Sequence, residues 1–208
     1  MFKKLTCLII FLNIANLGFA QKNLKFGVAA GINYSTIIDR SDLVKNDTSN
    51  YKFGYLIKGI IEYQFNKIFS LRLEPGFENK GAKFNSYSFD YTVNMDYLSL
   101  PILLRYTPIH QLSLIAGPKF SYRTSIRGSA NVDQTFLNNM FRTKFDLGIE
   151  GGLMYNFNKD LSLGLTYYQG FMPVAKYIFI AECGTGIEEL YVNDYLHNNF
   201  GLQLSYVF

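Results

Sequence analysis

From Leu24 to the C-terminus, apolar and polar residues alternate with a period of two. That is the repeat of a strand with one face toward an apolar medium and the other toward polar surroundings. The first segment sets Leu24, Phe26, Val28, Ala30, Ile32 and Tyr34 against Lys25, Gly27, Ala29, Gly31, Asn33 and Ser35. The second, from Phe53 to Phe65, sets Tyr55, Ile57, Ile61 and Tyr63 against Gly54, Lys58, Glu62 and Gln64. Then Phe69, Leu71, Leu73 and Phe77 oppose Ser70, Arg72, Glu74, Gly76 and Glu78. In the fourth segment Leu98, Leu100, Ile102, Leu104 and Tyr106 oppose Tyr97, Ser99, Pro101, Leu103 and Arg105. Leu112, Leu114, Ala116, Phe120 and Tyr122 face away from Ser113, Gly117, Lys119 and Ser121. Phe145, Leu147, Ile149, Leu153, Tyr155 and Phe157 do so from Lys144, Asp146, Gly148, Glu150 and Gly152. Leu161, Leu163, Leu165 and Tyr167 alternate with Ser162, Gly164, Thr166 and Tyr168, and Phe200, Leu202, Leu204, Tyr206 and Phe208 with Gly201, Gln203 and Ser205.

The links between segments also alternate. Asn66-Lys67, Thr107 to Gln111 and Asn158 to Asp160 are short, whereas Thr36 to Lys52, Gly81 to Asp96, Thr124 to Thr143 and Phe171 to Leu196 are long. Segments of about ten residues joined in this way predict an all-β fold. The expected form is an eight-stranded antiparallel up-and-down transmembrane β-barrel, with short periplasmic turns, long extracellular loops and the first strand paired to the last. The alternative is ten strands, with Phe84 to Asp90 or Tyr177 to Ala181 adding hairpins. Such hairpins lengthen strands above the membrane more readily than they cross it.

Alternation leaves open which face turns inward. A soluble lipocalin-like periplasmic carrier would fold the apolar face inside, but eight strands enclose room for modest side chains or one small ligand. Leu, Ile, Phe or Tyr at nearly every apolar step is too much bulk for that interior. The other face is rich in Gly and Ser and carries Lys58, Glu62, Arg72, Glu74, Glu78, Arg105, Lys119, Asp146 and Glu150. Charges of both signs in a narrow lumen must pair, because isolated ones are costly there. The apolar face is therefore expected to meet lipid, and these nine residues to project inward and close the lumen.

Composition supports that orientation. Charged residues make up 17% of the chain, as do aromatics, all of them Tyr or Phe, against about 25% charged residues in an average soluble domain. The +4 charge includes Lys3 and Lys4 at the start of the chain, and basic residues cluster on no segment, so nothing points to nucleic acid. Residues 1–20 read as a signal peptide, with Leu5 to Ile14 as the apolar run and Gly18-Phe19-Ala20 before the cut. The barrel domain then spans residues 21–208. Cys7 precedes most of the apolar run and makes a poor lipoprotein site. Cleavage leaves Cys183 alone and excludes an internal disulfide.

Candidate chemistry is sparse. His110 falls on a short turn, and His197 with Asp194 falls near the outer end of the last segment, where a rim enzyme acting on lipid or peptide would keep a His and an acid. Ordinary rim polar residues are the simpler reading of that pair. Asp39, Asp42 and Asp47 match no Ca²⁺ loop spacing and read as solvated charges. Gly148, Gly151 and Gly152 suit close packing in a small barrel better than a phosphate cradle. No catalytic, cofactor or metal site is expected. Pro101 inside a strand pattern ordinarily argues against a central strand, and Pro75 and Pro118 pose the same problem, a bulge being one way to accommodate them. Cys183 has no assigned role.

The chain resembles the PorT-like outer-membrane β-barrel family of Gram-negative bacteria. The resemblance rests on Leu71-Arg72-Leu73-Glu74-Pro75-Gly76 before Lys80-Gly81, Tyr97-Leu98-Ser99-Leu100-Pro101-Ile102-Leu103-Leu104-Arg105-Tyr106, Ala116-Gly117-Pro118, Phe145-Asp146-Leu147-Gly148 with Gly151-Gly152, and Tyr206-Val207-Phe208. It implies the cell outer membrane and this fold, with Tyr206 and Phe208 as part of the C-terminal signal read by the barrel-insertion machinery. Outer-membrane lipids and that machinery are the implied partners, with an extracellular or secretion-system protein as a candidate for the loops. The expected function is non-enzymatic: partner binding, or a role in secretion or envelope integrity, rather than a general porin.

Overall fold

The computed structural model describes residues 23–39, 48–85, 90–129, 133–183 and 187–208. The expected signal peptide, residues 1–20, lies outside them. The strands are β1 (Leu24–Asp39), β2 (Thr48–Asn50), β3 (Lys52–Gln64), β4 (Phe69–Leu73), β5 (Gly76–Asn85), β6 (Asp90–Ile109), β7 (Leu112–Gly128), β8 (Phe145–Asn156), β9 (Leu161–Gly170), β10 (Ala175–Cys183) and β11 (Ile187–Val207). One short helix, α1 (Gln134–Met140), follows β7, and the Asp133 side chain accepts from the Thr135 N–H at its start.

Pairing runs around a closed circuit. β1 joins β3 on one side, from Leu24↔Tyr63 to Ser35↔Lys52, and β11 on the other, from Gly27↔Val207 to Asp39↔Tyr195. Between these ends the order is β3, β4 with β5, β6, β7, β8, β9 and β11, every neighbour antiparallel. Among the described residues the single sheet contains eleven strand pieces, which make eight walls. The excess arises because the third wall is split into β4 and β5, while β2 and β10 pair only with the outer parts of β5 and β11.

That split lies at Glu74-Pro75. The Glu74 N–H donates to the Pro101 carbonyl (3.1 Å) and the Gly59 N–H to the Pro75 carbonyl (2.8 Å), and neither proline returns a bond because neither has an N–H. Pairing with β6 resumes in the same register, Leu73↔Ile102 before the break and Gly76↔Ser99 after it. A bulge is thus not what accommodates these prolines. Likewise β6 and β7 skip pairs beside Pro118 without slipping, and their register shifts lie instead at Asp96/Tyr97 and Tyr106/Ile109.

The two faces decide the architecture. Ile57 is 60% exposed, and its neighbour Lys58 only 2%. This inversion repeats along every wall, so the apolar face points out of the ring and requires lipid. Aromatic side chains band that face at two levels. Tyr34 with Phe53, Tyr122 with Phe145, and Tyr167 with Phe200 stand at the outer level. Tyr63 with Phe65, Phe69 with Tyr106, Tyr155 with Phe157, and Tyr206 with Phe208 stand at the inner one. From Phe53 to Tyr63 along β3 is about 33 Å at strand rise, or about 25 Å along the axis at a tilt of about 40°, the height of an outer-membrane apolar band.

Above the outer band two of the expected long loops, 81–96 and 171–196, are largely sheet. β5 and β6 stay paired to Asn85↔Asp90, β6 and β7 to Val93↔Gly128, and β10 and β11 form a hairpin to Cys183↔Ile187. Beyond the membrane no lipid enforces a period of two, so the sequence pattern fades while backbone hydrogen bonds continue the wall.

Candidate functional site: the luminal ion-pair column

Inward positions recur every second residue, so the walls aim charges at a common axis. β3 contributes Lys58 and Glu62, β4 Arg72, the break Glu74, β5 Glu78 and Lys80, β6 Arg105, β7 Lys119, and β8 Asp146 and Glu150. At mid-height Lys58 Nζ lies 3.1 Å from Glu74, 3.5 Å from Glu78 and 3.4 Å from Glu150. Lys119 Nζ sits between Glu78 (2.7 Å) and Glu150 (2.6 Å). Toward the periplasm, Arg72 Nε donates to Glu74, its Nη1 is 3.4 Å from Glu62, and its Nη2 donates to Ser205 Oγ. Arg105 holds both Glu62 oxygens at 3.1 Å and donates to Ser113 and to Asn156. Ser70 gives Glu62 a further bond.

Toward the outside, Lys80 Nζ lies 3.3 Å from Glu78 and 3.8 Å from Asp146, and 4.4 Å from the centre of the Tyr168 ring. Tyr168 donates its hydroxyl to Asp146 (2.7 Å). Lys58, Arg72, Lys80, Arg105 and Lys119 thus face Glu62, Glu74, Glu78, Asp146 and Glu150, a column of equal positive and negative charge. Burying charge costs several kcal/mol per ion, so only this mutual pairing makes the interior tenable.

Residues 19–176 match the outer membrane protein beta-barrel domain family. The chain belongs to this family. As an outer membrane β-barrel domain protein it resides in the cell outer membrane. Among solved structures it is similar to Ail of Yersinia pestis, at 13% identity over 89% of this chain and 99% of that one, with a TM-score of 0.47. It is also similar to Neisserial surface protein A, at 13% identity over 88% and 97% with a TM-score of 0.48. OprG from Pseudomonas aeruginosa gives 13% identity over 89% and 97%, with a TM-score of 0.47. No curated protein matches the sequence.

The outermost part of this outer-membrane barrel's lumen differs from the sequence reading. His197 is not a rim residue: it is fully buried, its Nε2 3.1 Å from the Tyr97 hydroxyl and its ring edge-on to the tyrosine. The acid role considered for Asp194, the Ca²⁺ reading of Asp39, Asp42 and Asp47, and the thiol of Cys183 fall outside the described side chains. The Cys183 backbone belongs to β10 rather than to a loop. Over His197 and Tyr97 lies an apolar roof including Ile37, Phe84, Met95, Leu137, Phe141 and Tyr195. Helix α1 delivers Leu137, and Arg123 donates to the Phe141 carbonyl just after it.

Lys80, absent from the sequence-level set of luminal charges, is completely buried in the column. The two-residue step from Glu78 points to it, but the family-like Lys80-Gly81 pair reads as the start of a loop. Gly81 has φ +152° and exchanges hydrogen bonds with Ser35 Oγ, which lets β5 continue past that point. His110 sits exposed on the β6–β7 turn. Tyr206 and Phe208 lie on the outward face of the inner band.

Proposed function

We propose that this barrel is a non-enzymatic, PorT-like envelope protein whose lumen is plugged, and which acts through the sheet that rises above the outer aromatic band. The observation that carries the reading is the ion-pair column. Lys58 and Lys119, on β3 and β7, meet at the axis Glu74 and Glu78 of the third wall and Glu150 of β8, so an ion passing through would have to separate buried charges. The apolar roof above works in the same direction. Such a barrel serves as a rigid stalk for outer surfaces that bind an extracellular or secretion-system protein, or that contribute to envelope integrity. Its assembly uses the barrel-insertion machinery, with Tyr206 and Phe208 as the recognised end.

The non-enzymatic reading is favoured over a rim enzyme by the position of His197, which is sealed beneath the roof and engaged with Tyr97. A general base must come within about 3 Å of substrate, and a histidine in this position is shielded from lipid and peptide alike. Planar-bilayer recording tests the plug: purified protein gives no steady porin-sized conductance, and a stable large pore refutes it. Capture of surface proteins from intact cells, by the whole chain and by a chain with residues 176–193 replaced by a tight turn, tests the outer surfaces. Equal capture by both places the binding elsewhere.

A further inference from the structure

The column ends short of the periplasmic mouth. Below it lies a cavity of about 450 Å³, floored by Glu62, Arg105 and Asn156 and rimmed by Lys25, Lys67 and Lys159. The rim comes from distant parts of the chain: the start of β1, the β3–β4 turn and the β8–β9 turn. The closure of the ring therefore builds the mouth, and its size suits a small ligand, for which pockets run from about 300 to 1,000 Å³.

Its electrostatics are one-sided. At the floor, Glu62 is shared by Arg72 and Arg105, and the column above is neutral. Among the described residues none of the three rim lysines has a carboxylate within ion-pairing distance. The nearest exposed acid in sequence is Asp160, which does not line the cavity. Three ammonium groups around a recess with low-dielectric walls focus a positive field into it.

We infer that this vestibule is a binding site for a small polyanion, carrying two or three carboxylate or phosphate groups, that enters from the periplasm. The donor set decides the class. Arg105 uses its Nε, Nη1 and Nη2 on Ser113, Glu62 and Asn156, so it offers no free fork for a single planar carboxylate. What remains are three flexible point charges, which suit an anion with several charged groups set apart from one another. His110 on the same lining adds a ring N–H.

Citrate and pyrophosphate, titrated separately into the full barrel in an uncharged detergent at about 50 mM salt, test the site. The readout is the amide NMR shifts of residues 66–68, 107, 109, 110 and 158–160. The expected result is a saturable shift at these turns with at least one anion, and the stronger arm identifies carboxylate or phosphate as the natural group. Each Lys→Gln change at 25, 67 and 159 weakens binding by about twofold to fivefold, and the triple variant by about tenfold or more. Lys→Arg changes retain it. Gel mobility before and after boiling checks assembly, and if the triple variant does not assemble, Lys67→Gln and Lys159→Gln on the exposed turns carry the test. Failure of both anions to saturate, shifts confined to the outer end, or unchanged affinity in the assembled Gln variants overturns the proposal.

Discussion

Lys58 and Glu150 stand on opposite walls of the barrel, yet Lys58 Nζ and Glu150 Oε1 are 3.4 Å apart. Four steps around the ring separate β3 from β8 in either direction. The contact therefore spans the whole lumen, and the two side chains act as a cross-brace. Replacing Glu150 with Gln leaves Lys58 and Lys119 short of a shared partner in a buried site. Destabilisation of about 3–5 kcal/mol is expected from breaking such a pair, read as a lower urea midpoint for loss of the unboiled, fast-migrating gel form. A Lys58→Met, Glu150→Leu double variant should recover part of the loss, and a double-mutant cycle then isolates the coupling.

Gly148 marks where β8 and β9 approach too closely for a side chain. A Cβ there would come 2.1 Å from the Gln169 carbonyl oxygen and 2.7 Å from the Tyr168 ring. Gly148→Val should abolish the heat-modifiable form. Adding Tyr168→Ala should not rescue it, because the backbone carbonyl remains in the way.

Phe208 makes two separable contacts. The Phe208 N–H donates to the Phe26 carbonyl (2.7 Å), while its ring packs edge-on against Tyr206 in the inner band. Deleting Phe208 should lower assembled protein more than total synthesis. Phe208→Ala, which keeps the backbone bond, should show most of the same defect if the aromatic ring is what the insertion machinery reads. Quantitative blotting of membrane and whole-cell fractions distinguishes the two.

Above the outer band, Asp96 accepts hydrogen bonds from Asn79 (2.6 Å) and Ser125 (2.7 Å) and pairs with Arg127. Burial alone would raise its pKa, but the bonds from Ser125 and Asn79 and the Arg127 charge outweigh that and hold it below the ordinary 3.8. A depressed carboxyl pKa stabilises the fold above its unfolded value, and the contribution is lost as pH falls through the folded one. Hydrogen exchange at the outer ends of β6 and β7 should therefore stay slow near neutrality and quicken, beyond its intrinsic pH trend, only below that value. Asp96→Asn should remove the pH-dependent part.

At the level of the membrane, the period of two by itself determined which side of its wall a residue occupies, because a strand offers only two faces and lipid accepts only one kind. Hence Lys58, Glu62, Arg72, Glu74, Glu78, Arg105, Lys119, Asp146 and Glu150 could be assigned to one polar face from the sequence, and short links such as Asn66-Lys67 marked neighbouring walls. Which charge meets which was beyond that pattern. Lys58 and Glu150 are 92 residues apart, and their meeting depends on the relative shift of all the strands when the ring closes, a quantity no local window contains. Pro75 and Pro101 were visible as strand breakers, but only the pairing showed them adjacent on neighbouring strands, where one gap in the ladder accommodates both. Lys80 and His197 were hidden for a different reason. They lie toward the outer end of the barrel, where lipid no longer enforces alternation, and their burial is supplied by a roof assembled from α1 and several walls, which exists only in the folded chain.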